Sequence, residues 1–402
     1  MKNNYKAVII GGGASGLLCA VELLRGKNAL KGCDFLILER NDRVGKKLIA
    51  TGNGQGNLCN SLFSADYYHG DQDFINEFID NAKAVNIEQY LCDLGIPLTK
   101  EEGKRYPISK QSSAVLDIIR LFLSSQGVEV LTGEKALSVI SRNQGYTIET
   151  DKSKYNAQNV VLAFGGKVGK QFGTDGTSYH LATNLGHKIS KLYPSLVQLK
   201  TDLTKVRGLK GLKEKVKLTA KDGEKVLKST VGEILFTEFG VSGNAVFTLS
   251  AYLTDAKNPN LKIEFMPEYS QEEIENIITQ RQKLGYFSKE DYLKGLINKR
   301  IGQMVIKNIQ NVTPKELAKS LKNFTLTVTG NLDFNYAQVT KGGIIVSDVN
   351  ANTMESKINE GLFITGEALD VDGDCGGYNL TFAFVTGILS ARKIKQNFNG
   401  IN

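Results

Sequence analysis

Tryptophan is absent from this 402-residue chain, and histidine (3), methionine (4), cysteine (5) and proline (6) are scarce. Each scarcity removes a class of function. Three histidines, at positions 69, 180 and 187, show no ligand or triad spacing, so no metal site and no histidine-centred hydrolase is expected. Cys19, Cys33, Cys59, Cys92 and Cys375 include no C-x-x-C pair that could clip zinc or cycle as a redox dithiol. A reduced, cytoplasmic protein is the expectation. No apolar run approaches the ~18 residues of a membrane span. The uncharged stretch 7–21 follows Lys2 and Lys6, but Gly11, Gly12, Gly13 and Gly16 interrupt it and no small-x-small cleavage site follows, so it reads as folded structure rather than a signal peptide.

With 41% hydrophobic and 23% charged residues the chain has a globular balance, which excludes disordered, collagen-like and coiled-coil readings. At roughly 100 to 200 residues per domain its length predicts two or three domains. The formal charge of +8 is unevenly spread: residues 200–228 hold ten Lys/Arg against four acids, and a second basic stretch runs over 281–322. These lysines alternate with apolar residues and have no aromatics interleaved, the pattern of solvated strand faces rather than a nucleic-acid platform. Glycine is the residue in excess, 41 of 402 against a usual ~7%.

The glycines cluster where chemistry can be read. Gly11-Gly12-Gly13-Ala14-Ser15-Gly16 fits G-x-G-x-x-G, between a buried-strand pattern at 6–10 (KAVII) and a helical pattern at 14–25 with Leu17, Leu18, Val21 and Leu24 on one face. In that setting Gly11 makes the tight turn, Gly13 admits a pyrophosphate to the backbone, and Gly16 allows helix and strand to touch. The phosphates would sit at the positive end of the helix beginning near Ala14, over Ser15 and Gly16. Glu39, directly after the strand pattern 34–38 (DFLIL), supplies the acid that accepts hydrogen bonds from the adenosine ribose. It also disfavours a phosphate on that ribose, because two anions would repel.

Two further features select a flavin over a nicotinamide dinucleotide. A long glycine- and asparagine-rich loop, 42–60, follows the second strand, and loops of that length are usually functional. Near the far end, 361–367 (GLFITGE) reads as a strand ending in Gly366-Glu367, and 374–379 (DCGGYN) leads into a helix over 379–396. A carboxylate there can bond ribityl hydroxyls, and a glycine-led helix start can face the negative charge that develops at flavin N1 and O2. Between these ends the sequence predicts helices over 73–94 and 113–126, and strands over 128–131, 135–141, 146–150 and 159–163. Beyond them it predicts alternating strands of a barrel or sandwich over 190–265, helices over 270–322 and a strand at 324–329.

The stretches GGGASG, GKKLIATGNGQGNLCN, VVLAFGG, GEILFTEFGVSG, TMESK and GEALDVDGDCGGYNLTFAFVTG follow one another from residue 5 to about 391. Together they resemble the bacterial YhiN/BaiN-like FAD-dependent oxidoreductases, a family that includes aminoacetone oxidases and a reductase of bile-acid breakdown. The resemblance implies an α/β fold: a doubly wound, Rossmann-like FAD-binding domain (1–190 and 352–402), an inserted β-barrel substrate domain (191–266 and 324–351) and a small helical subdomain (267–323). It implies pyrophosphate on residues 11–16, ribose on Glu39 with Arg40 beside it, and adenine near the backbone of Ala136. The flavin would be contacted by Lys47, Gly52, Asn53, Gly54 and Asn57 and by Gly366, Glu367, Gly377, Tyr378, Asn379 and Leu380, and Ala163, Gly165 and Gly166 are further expected cofactor-binding positions. The family loop usually reads close to S-G-G-G-R-C-N-x-T-N, whereas this chain has Gln55 in place of Arg and Gly56 in place of Cys.

Single residues carry less. Cys375 and Cys59 read as space-filling thiols, His187 as a helix-end residue, and Tyr378 equally as a flavin contact or a packing ring. Residues 233–243 either line a substrate pocket or form a buried barrel strand. No side chain stands out as a general base, which suits hydride transfer between a small organic substrate or NAD(P)H and flavin N5. NAD(P)H would be a transient donor, since no second G-x-G-x-x-G appears. The partner is expected to be a small molecule, with no membrane and no nucleic acid. The alternative is a flavin-dependent RNA-binding or RNA-modifying protein that uses the basic middle.

Overall fold

The structure, a computed structural model, describes residues 3–398. These divide into two compact units, one running to Tyr193 and resuming at Val339, the other Pro194–Gln338. The inserted unit is thus continuous in sequence, and residues 339–351, grouped above with the barrel, lie in the first unit.

The first unit is built on a seven-stranded sheet. Its parallel part runs Glu129–Thr132, Phe35–Glu39, Asn4–Ile10, Lys154–Leu162 and Leu362–Ile364. Phe35–Glu39 is buried at every position, as a strand covered on both faces must be. Ala136–Arg142 and Gly145–Thr150 form a hairpin that pairs antiparallel with the first half of Lys154–Leu162, leaving its second half to pair with Leu362–Ile364. The last strand of this sheet to be synthesised therefore sits beside a strand from the first half of the chain.

The first helix, Ala14–Leu23, and the last, Tyr378–Asn397, pack against each other in the same core. A Cβ on Gly387 would lie 2.2 Å from the backbone oxygen of Ser15, so this approach is open only to glycine. The contact is reinforced by buried Lys395, whose Nζ donates to Glu22 Oε1 at 2.8 Å, while Tyr90 donates to Glu22 Oε2 at 2.9 Å. The helix expected over 73–94 is two helices, Gln72–Val85 and Ile87–Asp93. Asn86 breaks it by adopting a left-handed conformation (φ +48°) and capping the second helix, a dual role that asparagine tolerates better than most residues.

The second unit is a closed antiparallel barrel in the order Leu199–Thr201, Gly240–Ser242, Lys225–Phe236, Lys213–Asp222, Pro259–Phe265 and Phe324–Asn331. Val216, Leu218 and Ala220 fill it while lysines alternate outward. Residues 233–243 contribute two of its strands, so they form barrel wall rather than a free loop. Helices Gln271–Lys283, Lys299–Lys307 and Pro314–Lys322 share its core through Ile274, Ile301 and Leu317. The Ser270 capping box starts the first of these helices.

Replacing Gly387 by alanine forces the two terminal helices apart. Overpacking of this kind costs about 1–3 kcal/mol. Thermal unfolding followed by circular dichroism is expected to show a lowered midpoint, and an unchanged midpoint would refute the close-contact account.

Candidate cofactor site

The glycine turn is wedged between the ends of two strands. Gly11 N donates to Leu38 O at 2.8 Å, Ala163 N donates to Ile10 O at 2.9 Å, and a Cβ on Gly11 (φ +113°) would lie 2.3 Å from Ala163 O. A Cβ on Gly16 would fall 2.0 Å from Gly11 O, which is the close helix-to-turn contact expected of that position. Gly13 is different, since a Cβ there would meet nothing within 4 Å. Helix Ala14–Leu23 begins beside Gly13 without a side-chain cap, so no cap side chain takes up its first N–H groups, as an anion site requires. Buried Ser15 lies against Gly366, bringing the first glycine motif to the last one.

Glu39 is buried at the end of its strand. Its Oε2 accepts from Gly12 N at 2.9 Å, and its Oε1 accepts from Asn41 N at 2.8 Å and Asn41 Nδ2 at 2.7 Å. A carboxylate offers about four acceptor positions, so one is left for a ribose hydroxyl. Gly133 N and Glu134 N donate to the backbone oxygens of Asn41 and Glu39, and Glu134 lies two residues before buried Ala136. Arg40 turns away to Asp175 (3.1 Å) and Thr177 (3.2 Å). Burial alone would raise Asp175, but hydrogen bonds from Thr177 and Arg40 outweigh it and hold the carboxyl at about 2.

Lys47 and Glu367, 320 positions apart, form an ion pair at 2.6 Å, and Lys47 Nζ also donates to Val168 O at 3.1 Å. Glu367 Oε1 accepts from Thr340 N, and Thr340 Oγ1 accepts from Lys167 N and Val168 N. Gly166 lies against both Thr340 and Glu367, and Gly165 against Thr174. Buried Thr340 thus organises the loop after strand Lys154–Leu162, a role sequence reasoning missed. Its only signal was a hydroxyl in an otherwise unremarked segment.

The loop through Gly52, Asn53 and Gly54 is pinned by Ser112, whose Oγ and N both donate to Gly54 O. Gly56, at φ +77°, would press a Cβ to 3.1 Å from Ser112 Cα, so glycine suits this backbone where the resembling family has cysteine. Asn57 is buried, its carboxamide oxygen has no hydrogen-bond partner, and it lies 2.9 Å from where a Gly377 Cβ would be. Gly377 caps helix Tyr378–Asn397 with no side-chain bond of its own. A buried acceptor and an uncapped helix start thus meet at one point.

The neighbouring positions are structural supports. Asn379 clamps Gly373, accepting from its N at 2.9 Å and donating to its O at 2.7 Å. Tyr378 is buried with its ring stacked on Tyr67 (4.6 Å, 9°) and edge-on to Tyr68. Leu380 is half-buried against the core. Burial pushes the Cys59 thiol up to about 12 and also raises Cys375, so both stay protonated. His187 is buried and bonded to Ser356 Oγ at 2.9 Å; burial lowers its pKa. His69, given no role above, lies between Asp372 (3.3 Å) and Asp374 (3.2 Å), partners more than 300 positions away that no spacing could reveal. Among the described residues no cluster of His, Cys, Asp and Glu could hold a metal ion, and no helix is long and apolar enough to cross a membrane.

Curated relatives span the chain. It is 33% identical over 401 residues to a 3-dehydro-bile acid delta(4,6)-reductase of Clostridium scindens, covering 96% of this chain and 97% of the relative. It is 26% identical to a ribosomal RNA dihydrouridine synthase of Haemophilus influenzae, covering 98% and 100%. Among solved structures, an E. coli quinol fumarate reductase shares the fold at a TM-score of 0.51 and 14% identity, over 100% of this chain and 72% of that one. Residues 5–393 match the family model described as the HI0933-like protein Rossmann domain, and the chain belongs to that family, whose fold is the Rossmann-like FAD-binding one.

Proposed function

We propose that this flavin-dependent oxidoreductase reduces carbon–carbon double bonds conjugated to a carbonyl group, with NAD(P)H as electron donor. The observation that carries the cofactor placement is the unpartnered Asn57 oxygen at the Gly377 helix start, in the same unit as the open face at Gly13. Glu39 would hold the adenosine ribose, Gly11, Gly13, Ala14, Ser15 and Gly16 the pyrophosphate, and Asn57 with the Gly377 turn the flavin ring. When bound, FAD supplies two-electron hydride chemistry at its N5.

The chain's own residues prepare that chemistry. Lys47 and Glu367 neutralise each other across the site, so neither brings an unbalanced charge into it. Backbone N–H groups at the start of Tyr378–Asn397 offer dipoles to developing negative charge. The high pKa of the Cys375 thiol keeps it neutral beside them. NAD(P)H would bind transiently, because the chain carries one G-x-G-x-x-G unit.

The substrate class rests on what the two relatives' names have in common. A 3-dehydro-bile acid with double bonds at positions 4 and 6 and a uracil ring both present a C=C conjugated to C=O. The 33% identical relative favours a small molecule. The second relative favours a uridine in RNA, but the barrel argues against a strong polyanion footprint: Lys210, Lys213, Lys215, Lys217 and Lys221, half of the basic residues in 200–228, already pair with acids.

Anaerobic titration of the FAD-loaded protein is expected to bleach the flavin band with NADH or NADPH, and a conjugated enone should restore it. Bleaching by simple amines alone would overturn the reductase reading, and a salt-sensitive mobility shift with ribosomal RNA would move the substrate to the second class. Glu39→Gln keeps the shape and removes a charge-assisted acceptor worth about 1.5–3 kcal/mol, so FAD should bind roughly 10- to 100-fold more weakly. Unchanged FAD affinity, measured by fluorescence with circular dichroism as the fold control, would refute the ribose assignment.

A further inference from the structure

Strand Tyr68–Gly70 pairs antiparallel with Val371–Gly373, and His69 stands directly opposite Asp372. Opposed residues share a face, so the imidazole and carboxylate meet, Nδ1 to Oδ2, at 3.3 Å. Asp374, whose N donates to Tyr67 O, brings its Oδ1 to 3.2 Å from Nε2 on the other side of the ring. Asp372 and Asp374 are 2% and 4% exposed. A carboxylate oxygen near each ring nitrogen favours the imidazolium form of the ring. A positive ring offsets part of the cost of burying two carboxylates.

The cluster lies on the segment that leads into the last helix. Asp374 is three residues before Gly377, and Asn379 reaches back to hold Gly373 by both its N and its O. The turn 373–377 is therefore fixed from below by the ion cluster and from above by the helix. One acid would have sufficed to pair a structural histidine. The second places a buried carboxylate, Asp374, three residues before a helix start that, in the placement given above, receives negative charge from the reduced flavin.

We propose that His69 is a positioning residue for the flavin ring: clamped between Asp372 and Asp374, it sets the turn 373–377 and offsets one of the two carboxylate charges that oppose reduction. The proposal rests on the FAD placement under the proposed function. Burial would lower the His69 pKa, but the two carboxylates outweigh it and raise it from 6.5 to about 9. Because the folded value lies above the unfolded one, the stabilisation is complete below pH 6.5 and is lost as pH rises through about 9. Asp372 and Asp374 face the ring directly. Asp370 lies beside Asp372, Tyr378 and Cys375 lie beside Asp374, and exposed Asp71 and Asp73 follow on the next helix.

The test uses the FAD-loaded full chain. With three histidines in the chain, NMR of the imidazole resonances can be assigned by single substitutions, and one ring, His69, is expected to stay protonated through pH 8. His69→Gln is expected to lower the flavin midpoint potential and Asp374→Asn to raise it, each by about 30 mV, the equivalent of a tenfold change for a two-electron couple. Opposite signs are the mark of charge, since a purely structural loss would move both variants the same way. Shifts of one sign, no shift in either variant, or a His69 ring that titrates near 6.5 would overturn the proposal. If His69→Gln does not fold, the Asp374→Asn potential and the wild-type titration decide. Wild-type protein that takes up no FAD overturns the cofactor placement as well, whereas FAD uptake with unmoved potentials overturns this proposal alone.

Discussion

The contact between Ser15 and Gly387 is the constraint from which the rest of the first unit follows. A backbone oxygen in the first turn of the first helix meets the last helix where any side chain would intrude. The buried Glu22–Lys395 pair stands on the same two helices and would be strongly destabilising if halved, because an unpaired charge would remain in the core. With these helices locked, Gly366 falls beside Ser15 and the Gly377 turn beside Asn57. The cradle proposed for the cofactor thus lies where two distant helices pack.

Most charged groups around that cradle face a partner of opposite sign. Lys47 answers Glu367, Arg40 answers Asp175, and His69 answers Asp372 and Asp374. Glu39 is the exception, because backbone and amide N–H groups rather than a cation satisfy it. That leaves it charged with spare accepting capacity, which a ligand hydroxyl can use. Five of the ten basic residues in 200–228 do the same, and their pairing tempers a strongly basic stretch of sequence.

Much of this was legible in the residues. G-x-G-x-x-G between a strand and a helix, with Glu39 after the next strand, has a mechanical reason at each glycine, and the structure uses Gly11 and Gly16 for those reasons. The alternation of lysine with apolar residues reported a barrel wall. Lys47–Glu367 and His69–Asp372 were out of reach, because they join residues hundreds of positions apart and sequence spacing carries no trace of such pairs. Asn86 was missed for another reason: the apolar period continues through it, and only a left-handed backbone reveals the break. Thr340 was missed because a lone hydroxyl in a polar stretch gives no hint of being buried.

Strand Leu362–Ile364 completes the parallel sheet beside Lys154–Leu162, and helix Tyr378–Asn397 covers it. On the ribosome, the glycine turn and Glu39 leave the exit tunnel some three hundred residues before these partners do. A nascent chain of this protein must therefore leave the edge of Lys154–Leu162 open through translation of the whole barrel, until Leu362–Ile364 has been made.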